Sequence, residues 1–345
     1  MRGLNELVFS TTNQCTARCQ DCPIIPSIYP PMKMNFATIK RVIDEVDAWG
    51  TLRLVVFTGG EPFLLGEDLR KAIAYISEKK IHTRIVTNAY WAKTKKEAIE
   101  ILSDLKTLGL TEINISCDDY HQIFIPLENI KHANEAALET GLPALLAHRR
   151  KPGGRITVEY LSEYLGVNLD LFKEGEINPD NNVICTGLNI PLYSTNAQIT
   201  YDSCDRQSND HKWTGACKSV LKSMVVFPNL DIQICCGIAL SSIPEFSIGS
   251  LNENDLLSIL KKGNQDLIVN WLALEGPASI LNFVRLKEPN LKFPEHFVSS
   301  CHVCNELFTR DDVRNVLRKY AQERSEALLI MRGTLDWISD YSVPN

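Results

Sequence analysis

The sequence lacks an excess of basic residues, a long hydrophobic run and any low-complexity tract. Its 345 residues include 36 Lys and Arg against 42 Asp and Glu, which gives a net charge of −6 at pH 7. A dedicated nucleic-acid binder usually has a basic face, so this balance argues against nucleic acid as the partner. Residues 1–7 show no apolar signal region, and no stretch approaches the length of a membrane span. We therefore expect a cytoplasmic protein with neither a nucleic-acid partner nor a membrane partner.

The cysteine content excludes a disulfide framework. There are eleven cysteines, and the thiols of a cytoplasmic protein stay reduced. Metal ligation or catalysis is the better explanation of so many thiols. The hydrophobic fraction of 44% is enough for a large core. The length fits one large α/β unit with an appendage, or two domains.

Short β-rich runs alternate with amphipathic helical stretches over residues 1–200. Such spacing predicts parallel βαβ units joined by right-handed crossovers. Six units predict an α/β fold, an open and partial (β/α)6 TIM-like barrel whose chemistry lies at the carboxyl ends of the strands. The predicted strands are Glu6–Ser10, Arg53–Phe57, His82–Thr87, Glu112–Cys117, Ala144–His148 and Val183–Ile190, and the predicted helices are Phe36–Trp49, Asp68–Lys79, Lys95–Leu108, Leu127–Thr140 and Thr157–Leu165.

The pattern changes near residue 200, which predicts a barrel domain over 1–200 and an α+β domain over 201–345. Met224–Phe227 and Ile232–Cys236 flank a Pro-Asn-Leu-Asp turn and predict a β-hairpin. A helix is predicted over Asn252–Lys262. A last helix is predicted to begin near Thr309, where Asp312 completes the capping-box spacing.

Three cysteines, Cys15, Cys19 and Cys22, follow the first predicted strand in a C-x3-C-x2-C arrangement. Three thiolates this close together can ligate three irons of one cubane, which leaves the fourth iron open to a small molecule. The alternative is a zinc site completed by a distant residue.

The segment from Thr58 to Pro62 reads Thr-Gly-Gly-Glu-Pro and follows the second predicted strand. Gly59 and Gly60 allow a close approach of the backbone that a Cβ would block. The main-chain groups and Glu61 can hydrogen-bond the ammonium group of a ligand. The alternative is an ordinary Gly-Gly turn.

Together, the C-x3-C-x2-C loop and the Gly-Gly-Glu-Pro segment resemble the two main signatures of the radical S-adenosylmethionine (SAM) superfamily. The resemblance covers at least residues 6–150, with Asp21 where the family usually has an aromatic residue. It implies a [4Fe–4S] cluster, SAM bound at the open iron, and an external reductant such as flavodoxin or ferredoxin. The 5′-deoxyadenosyl radical formed by cleavage of SAM removes a hydrogen from the substrate. Gly59, Gly60, Glu61 and Pro62 would contact SAM, as would the strand-end residues Asn88, Ser116 and Asp118, for which a turn or cap is the alternative role.

A second set of cysteines lies in the carboxyl-terminal part of the chain. Four of them, Cys217, Cys235, Cys301 and Cys304, suffice for a tetrahedral zinc site or for a fully ligated [4Fe–4S] cluster. Their arrangement resembles a shortened SPASM/twitch auxiliary-cluster domain of peptide-modifying radical SAM enzymes. This resemblance implies one auxiliary [4Fe–4S] cluster.

One thiol of the adjacent pair Cys235-Cys236 is then left without a cluster role. Adjacent side chains in a strand point to opposite faces, so one thiol of the pair can bind iron while the other faces a different space. A buried spare cysteine is the alternative. Four segments beginning at Val86, Ile115, Ile234 and Phe297 are similar to the epipeptide-type radical SAM peptide epimerases, although Ala89 and Cys117 stand where that family has glycine and tyrosine.

The second resemblance implies an enzyme that converts L- to D-residues in a ribosomally made precursor peptide. Cys235 would ligate the auxiliary cluster, and Cys236 would return a hydrogen to the substrate. Three other functions stay open at this point: a radical SAM enzyme that crosslinks peptides through C–C or thioether bonds, a radical SAM enzyme that modifies RNA, and a non-enzymatic metal-binding or redox module.

Overall fold

The structure is a computed structural model that describes residues 4–20, 22, 30–151, 153–171, 183–187, 215–237, 243–297 and 299–341. For residues 171, 183–187 and 336–341 it describes the backbone only. Asp21 and the end of the strand predicted over Val183–Ile190 lie outside the described residues.

The amino-terminal part alternates strands with helices, as predicted. Each helix buries one apolar face; in the first helix Ile39, Val42, Ile43 and Val46 are buried, and Asn35 caps the amino terminus by accepting from the Thr38 N–H. The strands are β1 (Glu6–Ser10), β2 (Leu54–Thr58), β3 (His82–Thr87), β4 (Glu112–Ser116), β5 (Ala144–Arg149), β6 (Asp170–Leu171) and β7 (Val183–Gly187); the helices are α1 (Phe36–Asp47), α2 (Glu67–Glu78), α3 (Lys95–Thr107), α4 (Leu127–Thr140) and α5 (Val158–Leu165).

The carboxyl-terminal part consists of a short meander followed by helices. The hairpin predicted from the turn at 228–231 is confirmed, since β8 and β9 pair antiparallel. The elements are β8 (Ser223–Val226), β9 (Asp231–Gln233), β10 (Ser247–Ser250), α6 (Leu256–Gln265), α7 (Leu267–Leu274), α8 (Pro277–Lys287), α9 (Ser300–Thr309), α10 (Asp311–Tyr320) and α11 (Ser325–Tyr341). Short 3-10 helices occupy Pro62–Leu65, Pro244–Phe246 and Ala321–Arg324.

All described strands join one sheet, in the order β10-β9-β8-β1-β2-β3-β4-β5-β7-β6. From β8 to β6 every neighbouring pair is parallel. The order confirms the predicted α/β fold with its parallel sheet. The described strands at the two ends, β10 and β6, do not pair with each other, so the described sheet is open.

The two faces of this sheet differ in what they contact. On β1, Leu7 and Phe9 point outward into the large core shared with the helices. Val8 points inward, into a cluster made only of residues from the sheet and its hairpin turn: Val8, Val56 and Val225, with Leu54, Val86 and Phe227 against them. Because side chains alternate along a strand, Glu6 and Ser10 share the inner face with Val8.

The capping box predicted at Thr309 is wrong. Thr309 is the last residue of α9, and its hydroxyl donates to the carbonyl of Asn305 at 2.6 Å. Helix α10 follows at once, with Arg310 at the cap position and no side-chain cap hydrogen bond. The helix predicted from Asn252 begins at Leu256, because the Asp255 carboxylate accepts from the Ser258 N–H at 2.9 Å and caps it there.

No single helix in the described part of the chain has the length and apolarity to cross a membrane. Helices α7 and α8 reach that length and apolarity only as a pair, bent by 115° at their junction.

Candidate functional site

A cavity of about 370 Å³ lies at the carboxyl ends of the barrel strands. It brings together eight of the predicted site residues, which lie far apart in the sequence. They are Cys15, Cys19, Cys22, Gly59, Gly60, Asn88, Ser116 and Asp118. Glu61 and Pro62 lie behind the lining rather than in it. His121, His148 and Arg149 also line the cavity and were not among the predicted site residues.

The cysteine loop folds back over the strand ends. Cys19 is buried, and it packs with Ala17, Tyr120 and Ile125, while Cys15 and Cys22 are half-buried at the edge of that cluster. The Sγ of Cys15 accepts from the Ala17 N–H at 3.4 Å and from the Asn88 Nδ2 at 3.5 Å. Burial raises the pKa of the Cys15 thiol to about 11. Three thiols that face one cavity are the donor set that three irons of a cubane require.

The two glycines let the segment that follows β2 approach the backbone on the amino-terminal side of the cysteine loop. The Gly60 N–H donates to the Thr12 carbonyl at 2.6 Å, and a Cβ on Gly60 would stand 1.8 Å from the Gln14 carbonyl oxygen. Gly59 has a φ of +123°, which side-chain-bearing residues rarely adopt. The Gly-Gly pair is therefore required by the close contact between two loops, and the loop geometry at the cavity depends on it.

Glu61 braces the ends of β2 and β3. Its carboxylate is fully buried and accepts from the Phe63 N–H at 3.2 Å, the Thr87 hydroxyl at 2.9 Å and the Asn88 N–H at 2.9 Å. Burial raises the pKa of Glu61 to about 7. The three hydrogen bonds favour the charged carboxylate and so act in the opposite direction, but their effect is smaller than that of burial. The structure thus gives Glu61 three protein donors, and its contact with a ligand's ammonium group stays a prediction.

A hydrogen-bond network that the sequence did not indicate holds the turn after β3. The Thr87 hydroxyl accepts from the Ala89 N–H and from the Trp91 Nε1, both at 3.1 Å. From α4, the buried Asn129 donates through Nδ2 to the carbonyls of Ala89 and Tyr90 at 3.2 Å each. These contacts place Asn88 at the cavity with its amide against Cys15.

Asp118, which is buried, and His121, which is half-buried, form a pair just after β4. One oxygen of Asp118, Oδ1, accepts from the N–H groups of Tyr120 and His121 at 3.0 Å and lies 2.8 Å from the His121 Nδ1. Burial disfavours the charged imidazole, but hydrogen bonds with Asp118 and Cys19 outweigh it and raise the pKa of His121 to about 10. The imidazole is therefore a cation at neutral pH, next to the cysteine loop.

The second cysteine set also converges. The sulfurs of Cys235 and Cys301 both lie close to Gly237, at 3.4 Å and 3.7 Å from the position that its Cβ would take. Cys217 and Cys304 are near enough for their charges to act on Cys235 and on each other. Cys301 and Cys304 lie one turn apart on α9, which places them on one face of that helix. Within the described ranges, no group of three or more His, Cys, Asp or Glu side chains is arranged to hold a metal ion.

Cys235 and Cys236 point into different surroundings. Cys235 is buried, whereas Cys236 is exposed. The side chains of Glu6 and Ser223 lie beside the Cys236 thiol. These two residues face each other at the amino ends of β1 and β8. Cys236 therefore lies at the end of the sheet opposite to the cavity.

Fold and site together define a class of protein. A partial parallel barrel holds a three-cysteine loop after β1 and a Gly-Gly-Glu-Pro segment after β2 at one cavity, and residues 9–143 match the Radical SAM superfamily. Residues 9–143 are thus a radical SAM domain. Such a domain implies a [4Fe–4S] cluster and SAM.

Among particular proteins, the chain is similar to the protein described as "Putative peptide biosynthesis protein YydG" of Bacillus subtilis (strain 168). The two are 24% identical over 327 residues, which cover 90% of this chain and 94% of that protein. Two solved structures show the same fold. The structure of native anSMEcpe with bound AdoMet and Cp18Cys peptide matches 97% of this chain and all of that chain, with a TM-score of 0.51 and 14% identity. The structure of Streptococcus suis SuiB bound to S-adenosylmethionine matches 74% of this chain and 65% of that chain, with a TM-score of 0.50 and 16% identity.

Proposed function

We propose that the protein converts L-residues to D-residues in a ribosomally made precursor peptide. A peptide substrate is supported by the similarity to YydG, whose description places it in peptide biosynthesis. Epimerisation is supported by one observation above all. An exposed thiol, Cys236, lies at the end of the sheet opposite to the cavity that carries the radical SAM signatures.

The cavity residues take the roles that the sequence predicts. Cys15, Cys19 and Cys22 would hold a [4Fe–4S] cluster, and Gly59, Gly60, Asn88, Ser116 and Asp118 would bind SAM, while Glu61 and Pro62 support that wall from behind. When bound, the cluster and SAM supply a 5′-deoxyadenosyl radical that removes the Cα hydrogen of an L-residue. Cys217, Cys235, Cys301 and Cys304 would hold one auxiliary [4Fe–4S] cluster.

Inversion at Cα requires hydrogen removal on one face and hydrogen return on the other. Glu6, beside Cys236, and Ser10, at the cavity end, are four residue steps apart along β1, which is about 13 Å of extended strand. Epimerisation therefore requires a peptide Cα between the two ends, with one face toward the cavity and the other toward the Cys236 thiol, and both reacting groups must reach that same Cα. The Cys236 S–H bond breaks as the new Cα–H bond forms, which leaves a sulfur-centred radical. One electron from a flavodoxin- or ferredoxin-type reductant and one proton from solvent restore the thiol.

The test is peptide turnover in deuterated water by reconstituted enzyme. We expect wild type to place one deuterium at Cα of each D-residue, because the thiol proton exchanges with solvent. Cys236→Ala and Cys236→Ser should both abolish D-residue formation, since neither side chain has an S–H bond to break. Cys117→Ala is the matched control, because that thiol is fully buried on the outer face after β4 and should not be needed.

Unchanged D-residue formation by Cys236→Ala would remove Cys236 from the reaction. A product of wild type that is lighter by two hydrogens, with no D-residue, would instead identify a crosslinking enzyme. The radical SAM domain supports both of these functions over a non-enzymatic metal-binding or redox module.

A further inference from the structure

The inner face of the sheet carries a buried polar atom that has no partner. Gln233 on β9 is only 8% exposed, and no described residue or loop supplies a hydrogen-bond partner for its Oε1. The Oγ of Ser10, which is also on the inner face, is likewise buried and has no hydrogen-bond partner among the described residues. Buried polar groups are nearly always paired, so an unpaired one in a native fold indicates a missing partner such as a ligand.

Gln233 shares one row of the sheet with a charged pair. Because residues in register lie side by side on the same face, this row crosses the inner face from β9 to β4. In order it contains Gln233, Val225, Val8, Val56, Arg84 and Glu112.

Arg84 and Glu112 form a two-point ion pair on this face. The Arg84 Nε and Nη2 donate to the two carboxylate oxygens of Glu112 at 2.7 Å and 2.9 Å. Their side chains are 29% and 28% exposed, so the pair is only partly buried. A guanidinium has five N–H donors, and Arg84 makes no further hydrogen bond to the described residues. The pair itself has a net charge of zero, and the Glu6 carboxylate is near enough for its charge to act on both members, so a neutral acceptor is favoured over a carboxylate.

This row lies between the two ends of the site. Arg84 is four residues before Asn88, which lines the cavity, and Val8 is two residues after Glu6, which lies beside Cys236. A substrate whose Cα faces both ends therefore passes this row. The described sheet is open between its edge strands β10 and β6.

We propose that Gln233 and Arg84 bind the main chain of the substrate peptide inside the barrel, the Gln233 Oε1 accepting from a peptide N–H and Arg84 donating to a peptide C=O. A peptide main chain offers one donor and one acceptor per residue whatever its sequence, which matches an acceptor and a donor on one row. This inference rests on the proposed function, since it assumes a peptide substrate.

The test measures peptide affinity directly. The probe is the precursor peptide used in the turnover test, labelled with fluorescein, and its anisotropy is followed with the full reconstituted enzyme. Gln233→Leu should weaken binding by about tenfold or more, because a hydrogen bond to a buried group is lost. Its melting temperature without peptide should not fall, because the substitution removes an unpaired oxygen. Arg84→Met combined with Glu112→Leu should weaken binding by a similar factor.

Arg314 and Glu245 supply a matched control pair outside the barrel. Their Nε–Oε1 distance is also 2.7 Å, and their side chains are 18% and 27% exposed. Arg314→Met combined with Glu245→Leu should leave the affinity unchanged. If the Arg84 and Glu112 variant does not fold, Gln233→Leu alone decides.

The outcomes separate the two proposals. Wild-type affinity in both barrel variants, with or without a lower melting temperature, overturns this inference and leaves the epimerase function standing. Weakened binding in the variants of an enzyme that makes no D-residue overturns the epimerase function and leaves the peptide site standing. A wild-type enzyme that does not bind the peptide overturns both.

Discussion

At the scale of the residue, Ala89 departs from the pattern of the resembling epimerases and takes an unusual conformation. Ala89 stands at a position where that family has glycine. Its φ is +60°, and its side chain is fully buried. An L-residue in this left-handed conformation costs about 1–2 kcal/mol relative to the right-handed one. The network from Thr87 and Asn129 holds the strained turn in place.

We expect Ala89→Gly to leave the free energy of unfolding unchanged or to raise it. The relief of backbone strain offsets the lost methyl contact and the greater freedom of the unfolded chain. Ala98→Gly is the control, because Ala98 is equally buried within α3 and should lose about 1 kcal/mol. Urea unfolding of the apo proteins measures both, and equal losses at the two positions would contradict the strain at Ala89.

At the scale of the element, α9 fixes the relative position of Cys301 and Cys304. Both cysteines lie in the first turns of this helix, which is capped by Ser299, whose hydroxyl accepts from the His302 N–H at 3.1 Å. A helix holds both sulfurs on one face regardless of metal. The predicted cluster site on α9 therefore does not require the metal for its local structure.

We expect Cys301→Ala combined with Cys304→Ala to halve the iron content of anaerobically reconstituted protein. Two [4Fe–4S] clusters amount to about eight irons per chain, and the variant should retain about four. Helix content by circular dichroism should stay as in wild type, because the cap at Ser299 remains. Iron and sulfide analysis checks this, with Cys117→Ala as the control that keeps full iron. An unchanged iron content would remove these two cysteines from the auxiliary cluster.

At the scale of the whole molecule, the carboxyl-terminal hairpin completes the amino-terminal sheet. Ser223–Val226 pairs in parallel with Glu6–Phe9, and Val225 packs on Val8 and Val56. Removal of the hairpin would turn β1 into an open edge and expose the inner valines. Helix α6 also contacts α1, where the Glu45 carboxylate accepts from the Leu256 N–H at 3.0 Å.

We therefore expect a fragment of residues 1–200 to be unable to fold by itself, although the change of sequence pattern near 200 predicts a domain boundary there. The full chain should unfold in one calorimetric transition. Limited proteolysis and calorimetry of the fragment and the full chain measure this. A fragment that unfolds cooperatively would show that the boundary at 200 separates independent domains.

Local sequence patterns determined most elements of the amino-terminal half. Periodic apolar residues predicted α1 to α5, and β3 and α4 have the predicted bounds. Short apolar runs are followed by candidate site residues such as Gly59 and Asn88. This order predicted that the chemistry would lie at the carboxyl ends of the strands. The patterns succeed there because amphipathic period and cysteine spacing are local properties of the chain.

Only the tertiary structure decided which surfaces and side chains meet across long sequence distances. The capping box at Thr309 fails because α9 continues to that residue, and α7, with apolar side chains on all sides, carries no periodic signal. Asn129 reaches the turn after β3 from helix α4, and Cys236 lies beside Glu6. Gln233 joins the row of Arg84 through β8, β1 and β2. The physical reason is the same in each case. Hydrogen bonds, burial and charge act through space, and a single sequence records spacing along the chain but not distance between its parts.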